Sequence, residues 1–513
     1  MKQGSYPETG LICFFAVLFV TLFSTCSFIY PFNPWDDPCV YLTIGTAMRE
    51  GKELYVDIFD HKGPVLFFMH EAAAMLSSLT CGAAGRGSFA GIYLVEIVCA
   101  AFYLLYSLRT MRLFSSSPAT LPLTILLGLI TYSSDFFCYG DSVEEFSLPI
   151  LAHCLYHMLR FVKDGQSPSA RQSVVMGVCL GLLFWTKFNL LFFYLGGFLA
   201  LLYIAWRHGQ VREMRRTVRW VTAGVMLVTA FVLAYFAVHG TLEALWESYF
   251  MVNIFQYHGT GTNGEPAFWW FPLVKLGMWV MLLLPLVFLP AGWEVRLLAF
   301  GTYGVLLLSF ATMTVQFYYF LTIFTFFPLL ICYCDRFRFT PGRAAAAALV
   351  SLLAVSTNWN LVTLLNGTFP HSVFKMAEIV NRGEAEDSEV LTFSSYDTGI
   401  YLFTPHLPPN RNYFLSSILD PEIKRQQAAL VASGKIRYLV REIGAVNTCH
   451  EYYDAPIPPN YHCVYDEEEL FRYRFITTPH KFLWNLTWTQ CLLRHVMKPD
   501  TQGQRMQVYE RRP

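Results

Sequence analysis

Charge is what this sequence has least of. Only 14% of its 513 residues are Asp, Glu, Lys or Arg, where a soluble domain carries about 25%, and that shortage excludes a soluble globular enzyme and a disordered chain. Net charge is missing too, because 37 Lys and Arg stand against 37 Asp and Glu. Nucleic-acid binding needs a basic field, so no nucleic acid is expected as a partner. No C-x-x-C pair suggests a zinc site and no internal repeat suggests a solenoid. No A-x-A cleavage site follows the first apolar run, which is therefore read as retained.

What remains is apolar. Hydrophobic residues make up 54% and aromatic residues 17%, with mean hydropathy +0.39. A helix crosses a bilayer core of about 30 Å with about 20 apolar residues. Runs of that kind fall at 11–30, 88–108, 119–134, 143–162, 173–187, 190–206, 218–238, 271–290, 297–312, 316–333 and 343–365, which predicts eleven spans. The run 65–80 is shorter, contains His70 and Glu71 and follows Gly63-Pro64, so it reads as an interfacial or re-entrant helix.

Charge parity supports that reading. With 65–80 left out, fourteen Lys and Arg fall in the loops 109–118, 160–171, 207–219, 291–296 and 334–343. Five fall opposite: Arg49, Lys52, Lys62, Arg86 and Lys187. The asymmetry puts the N-terminus in the cytoplasm and the C-terminus outside, in a multi-pass protein of the inner (plasma) membrane. Counting 65–80 as a span would move Arg109 and Arg112 to the wrong side.

Residues 1–365 thus form the transmembrane domain, with a first external loop over 31–87. Residues 366–513 form a soluble external or periplasmic domain. In it 390–393, 412–415 and 436–440 read as strands, and Pro421 to Ala432 as a helix opened by Asp420 and closed near Gly434, a small α/β arrangement. Most of the thirteen cysteines sit in spans. Cys449, Cys463 and Cys491 lie outside, where two of the three can form a disulfide in an oxidising compartment. Asn366 and Asn485 open N-x-T sequons.

The external loops collect the acids. Asn33-Pro-Trp-Asp36-Asp37-Pro38 sets two carboxylates just after a span, where desolvation and mutual repulsion disfavour the pair unless a cation compensates. The plainer role for Asp37 is N-cap of a helix starting near Cys39. Asp60-His61-Lys62-Gly63-Pro64 then places a cation beside a turn at the mouth of the interfacial helix, where Lys62 either works or snorkels. Glu144 and Glu145, in Asp141-Ser-Val-Glu-Glu, form a second acidic site or cap their helix. Lys187 occupies the outer turn between two closely spaced spans, where it meets lipid phosphate or snorkels. His258, Gln316 and Tyr319 are candidate lining residues, with an ordinary loop histidine as the alternative for His258. A divalent metal has candidate ligands in Asp37, Asp60, His61, His70, Glu144 and His258, but no spacing enforces a set, so no cofactor is assigned and the metal stays open.

The stretch from Asn33 to Met69, NPWDDPCVYLTIGTAMREGKELYVDIFDHKGPVLFFM, resembles the first external loop of the GT-C glycosyltransferases, the superfamily of the ArnT-type aminoarabinose transferases and the protein O-mannosyltransferases. There an acidic residue opens the loop, an amphipathic helix with a Tyr follows, and Lys-Pro-Pro or Lys-Gly-Pro starts a second juxtamembrane helix. The resemblance implies Asp37 as catalytic residue through its spacing to Tyr41 and Gly45, with Asp36 beside it. It implies Lys62-Gly63-Pro64 as the phosphate-contacting motif; His61 and Lys187, by their own positions, are further candidates for the donor phosphate. Asp60, Tyr55, Glu144, Glu145, His258, Gln316 and Tyr319 are then expected to orient substrates. Asp36-Asp37 stands where the family has Asp-Glu, leaving both as candidate base, and His61 stands where an acid often precedes the Lys. The fold implied is an α-helical polytopic membrane protein of GT-C type, with about eleven transmembrane helices, juxtamembrane helices in the first loop and a small external α/β domain.

The chemistry also follows from the donor. A sugar on a polyprenyl phosphate already has a weakly basic leaving group, so it needs no general acid, unlike a glycosidase substrate. One carboxylate for the acceptor hydroxyl and one cation for the developing phosphate charge suffice, with inversion at C1. The partners expected are membrane lipid, the donor, and a glycan, lipid or protein acceptor. A lipid-linked-sugar flippase or transporter is an alternative that predicts mid-span ionisable residues, for which the sequence offers mainly Glu96 and Lys275. A glycan polymerase or ligase would share the external cavity.

Overall fold

The computed structural model describes residues 6–81, 87–256, 283–311, 317–333, 341–367, 369–382, 389–415, 421–444, 456–472 and 501–512. His258, Gln316, Lys275, Cys449, Cys491, Asn485 and most of the expected span 271–290 lie outside them. The helical part is built from α1 (Tyr6–Phe23), α2 (Asp36–Arg49), α3 (Pro64–Cys81), α4 (Ala90–Phe114), α5 (Thr120–Ser133), α6 (Val143–Asp164), α7 (Ala170–Phe184), α8 (Leu191–Arg207) and α9 (Val211–Val238). A short α10 (Leu242–Leu245) runs into a π-helical turn, Trp246–Gln256, followed by α11 (Trp293–Ala311) and, later, α12 (Pro341–Thr357) and α13 (Trp359–Leu365).

Among the described residues α4, α8 with its leading turn, and α9 are each long and apolar enough to cross a membrane. Residues 345–356 of α12 together with α13 make a fourth candidate, bent by 60°. The expected tenth span, 316–333, is not an α-helix but two 3-10 segments, Phe317–Thr325 and Phe327–Tyr333. Pro328 removes a donor at the break, and the Thr322 and Thr325 hydroxyls bond to carbonyls three residues back at 3.0 and 2.7 Å, favouring the tighter winding. Helices approach closely where side chains vanish: Gly177 and Gly224 let α7 touch α9, and Gly196 and Gly301 let α8 touch α11.

The C-terminal part is a four-stranded mixed sheet ordered β1-β2-β4-β3, from β1 (Glu389–Thr392), β2 (Ile436–Gly444), β3 (Tyr461–Arg472) and β4 (Thr501–Arg511). β1 and β2 are parallel, joined across the helix Pro421–Ala432 that the sequence predicts; the other pairs are antiparallel. Asn412 to Leu415 is no strand: Leu415 N–H bonds to the Ser395 carbonyl at 2.8 Å, in a loop folded over Asp397. β3 and β4 lack the alternation by which a strand is recognised, as in Tyr461–Arg472 with its Asp-Glu-Glu-Glu run. Cys463 is free and exposed. The sheet domain rests on the helical part through an aromatic seam: the Phe32 ring lies 6.1, 5.2 and 5.7 Å from those of Phe369, Phe374 and Phe403.

Candidate active site

The first loop folds into two short helices packed against each other. α2 begins at Asp36, one residue after Trp35, whose side chain offers no cap. Asp37 is therefore not the N-cap expected for a helix from Cys39; both acids stand in the first turn, where the helix dipole favours negative charge. Pro38 is tolerated there because first-turn N–H groups have no helical partner. Gly45 brings α2 onto α3: an added Cβ would sit 2.5 Å from the His70 carbonyl carbon.

The segment before α3 forms by local chemistry. The Asp60 carboxylate accepts the Lys62 backbone N–H at 2.8 Å, closing a turn, and Pro64 takes the first helical position. Gly63 permits close approach to the turn between α7 and α8. Its N–H donates to the Thr186 carbonyl at 3.0 Å and that of Val65 to the Trp185 carbonyl at 3.1 Å. This pairing brings Lys62 and Lys187, more than a hundred residues apart, to one place.

Lys187 lies within electrostatic range of Asp37, Lys62 and Glu144. The Tyr318 hydroxyl donates to Asp37 Oδ2 at 3.4 Å. Lys187 Nζ donates to Glu144 Oε1 at 2.6 Å and lies 4.0 Å from the Tyr319 ring centroid and 5.6 Å from that of Tyr318. Burial lowers the Lys187 pKa; the Glu144 carboxylate opposes that and nearby Lys62 adds to it. Lys62 Nζ lies 3.3 Å from His61 Nε2, 4.0 Å from Asp60 Oδ1 and 5.7 Å from the Tyr41 ring centroid. His61 is held well below its usual pKa, first by burial and then by Lys62 and Lys187. A neutral His61 must accept at Nε2, since an ammonium only donates, so it steers Lys62 and adds no charge of its own.

Other residues expected to orient substrates are committed to the protein. Tyr55 is fully buried and its hydroxyl donates to the Lys62 carbonyl at 2.6 Å, which makes it a brace of the loop and not a lining residue. Glu145 is fully buried too and accepts the Asp141 N–H at 2.9 Å, while it is Glu144 that pairs with Lys187. Neither glutamate caps α6; Ser142 does, accepting from Glu145 N–H. Among the described residues no three His, Cys, Asp or Glu side chains are grouped to hold a metal ion.

Tyr318, Asp397 and Arg411 escape sequence reasoning. Tyr318 has only its neighbour Tyr319 to advertise it. Arg411 comes from the sheet domain, donates to the Ser248 hydroxyl at 2.9 Å and lies 4.9 Å from the Phe59 ring centroid, at the rim of the Lys62 loop. Asp397 is buried near Asp36 and Thr43, and burial pushes its pKa up to about 6.

No family model matches the sequence, and no curated protein matches it. Among solved structures the chain is similar to ArnT from Cupriavidus metallidurans, a crystal structure with bound undecaprenyl phosphate. The TM-score is 0.53 at 11% identity, over 97% of this chain and 98% of that one. It is also similar to the archaeal oligosaccharyltransferase AglB from Archaeoglobus fulgidus, solved with an inhibitory peptide and a dolichol-phosphate. That TM-score is 0.47 at 12% identity, over 87% of this chain and 70% of that one. The first similarity shows that the chain shares the fold of ArnT over 97% of its length.

Proposed function

We propose that this protein is a membrane glycosyltransferase that moves a sugar from a polyprenyl-phosphate donor to a hydroxyl acceptor on the external face of the membrane. The observation that carries the reading is Lys187 within electrostatic range of both Asp37, on the first turn of a juxtamembrane helix, and a second cation, Lys62. It is supported by a fold shared with ArnT, whose crystal structure contains undecaprenyl phosphate.

The roles follow from charge and reach. Lys62 and Lys187 hold the donor phosphate; their charges meet the negative charge that grows there as the bond from C1 to the phosphate oxygen breaks and its electron pair stays on that oxygen. Asp37 takes the proton of the acceptor hydroxyl, whose oxygen forms the new bond to C1 from the opposite face, giving inversion. Tyr318 holds the Asp37 carboxylate in place and Glu144 keeps Lys187 charged in a buried setting. Because the phosphate leaves as a weak base, no second acid is needed.

The test is Asp37→Asn in membranes supplied with a labelled polyprenyl-phosphate sugar. Loss of a general base is expected to slow transfer by about 10²–10⁴-fold. Transfer at near wild-type rate would sink the assignment, and product size on a gel separates single-sugar transfer from polymerisation.

A further inference from the structure

Behind the site lies a buried network that the proposed chemistry leaves unused. Ser24, His70, Glu96, Asp141 and Glu145 are all fully shielded, yet they come from five segments: the end of α1, α3, α4, the loop before α6, and the first turn of α6. The Asp141 backbone N–H donates to Glu96 Oε1 and to Glu145 Oε2, each at 2.9 Å. The Ser24 hydroxyl lies 2.8 and 2.7 Å from the two Glu96 oxygens. Asp141 turns its own carboxylate the other way, with Oδ1 2.9 Å from His70 Nε2, while His70 Nδ1 meets the Leu66 carbonyl at 2.8 Å. A carbonyl only accepts, so Nδ1 carries hydrogen, and one more proton lies between Nε2 and Oδ1.

Two carboxyl groups converge here on a single N–H. They lie within hydrogen-bonding reach of each other, and among the described residues Glu145 Oε1 has no other partner. Two ionised carboxylates in that arrangement repel, and one shared proton turns the repulsion into a hydrogen bond. The loop they grip is sharply bent, with φ of +57° at Cys138, +87° at Gly140 and +59° at Asp141.

The network reaches the site through His70. Gly45 packs α2 on the His70 backbone, and the Tyr41 ring lies 5.4 Å from the imidazole. Asp37 is one turn before Tyr41, and Lys62 lies two residues before α3. Fixing His70 to Asp141 therefore fixes both short helices against the bundle.

Building on the glycosyltransferase reading, we propose that Glu96 and Glu145 share one proton and, with the His70–Asp141 pair, act as positioning residues that set α2 and α3, and so the placement of Asp37 relative to Lys62. The full chain in detergent tests this by infrared difference spectroscopy at neutral pH. A protonated-carboxyl band is expected in the wild type and is lost in both Glu96→Gln and Glu145→Gln; a wild type without that band overturns the shared proton. Hydrogen exchange over residues 36–49 tests the positioning. His70→Asn removes a contact to a charged group and is expected to speed exchange by about tenfold or more, whereas Glu96→Gln, which can keep the Ser24 and Asp141 bonds, stays within about threefold. Should His70→Asn not accumulate, His70→Gln carries the same expectation at about threefold. Unchanged exchange in the His70 variant overturns the positioning role. Affinity for undecaprenyl phosphate, measured alongside, reports on the glycosyltransferase reading separately: a wild type that does not bind it sinks that reading, while the band and the exchange still decide the network.

Discussion

Gly63→Ala is the sharpest single perturbation of the site, because it adds one methyl group where two distant parts of the chain are joined. The new Cβ would lie within 3.0 Å of backbone atoms of Trp185 and Thr186, which cannot rotate away as a side-chain end would. Relief requires the segment to lift off the α7–α8 turn, which strains or breaks the hydrogen bonds from Gly63 and Val65 N–H. With a Cβ driven onto the Trp185 carbonyl oxygen, overpacking stands at the top of its range, about 3 kcal/mol, and exceeds the about 2 kcal/mol that the two bonds contribute together, so the detached loop is favoured by roughly 1 kcal/mol. Lys62 then no longer shares a phosphate with Lys187. A lost charge-assisted hydrogen bond of about 1.5–3 kcal/mol corresponds to about 10- to 100-fold weaker binding. The assay is titration of the purified full chain with undecaprenyl phosphate, beside Gly10→Ala as control, since nothing lies within 4 Å of a Cβ at Gly10. Affinity of Gly63→Ala within twofold of wild type would refute both the strapping and the joint use of the two lysines.

Glu144→Gln leaves the Lys187 ammonium without its carboxylate and is expected to destabilise the protein by about 3–5 kcal/mol, whereas the double variant Glu144→Gln, Lys187→Met recovers most of that loss in a thermal melt but not phosphate binding. Tyr318→Phe removes the hydroxyl held to Asp37 and is expected to lower the transfer rate by about tenfold with donor affinity unchanged, measured as kcat against KM. Asp397 predicts a pH dependence in the sheet domain. Its folded-state pKa of about 6 lies above the usual 3.8, so the folded state binds more protons and stability falls as pH rises from about 4 to about 6, staying lower above. The ionised form then costs about 3 kcal/mol. Asp397→Asn is expected to flatten that slope and raise the melting temperature at pH 7; an unchanged slope would show that Asp397 is not its source.

Much of the site was legible locally. Asp36-Asp37-Pro38 and Asp60-His61-Lys62-Gly63-Pro64 carry their own turn and helix-start chemistry, so the two short helices and their acid and cation follow from neighbours in sequence. Tyr55 and Glu145 were legible as polar residues near the site but not in their roles, because a hydroxyl committed to the Lys62 carbonyl and a carboxyl turned to Glu96 differ from lining groups only by orientation. Tyr318 and Arg411 carry no local signal: one rides on a 3-10 segment read as a span, the other on a loop of another domain.

Low charge and long apolar runs by themselves determined a helical polytopic chain, since burying apolar surface needs no particular partner. Local turn chemistry likewise determined the Lys62 loop, because an Asp carboxylate, a glycine and a proline act within a few residues. Only the tertiary structure decided that Lys62 meets Lys187, that Glu144 rather than Glu145 faces it, and that His70 is tied to Asp141. Those are pairings of groups 43 to 125 positions apart, and a one-dimensional pattern holds no distance between them; it is the close approach at Gly63 and Gly45 that creates it.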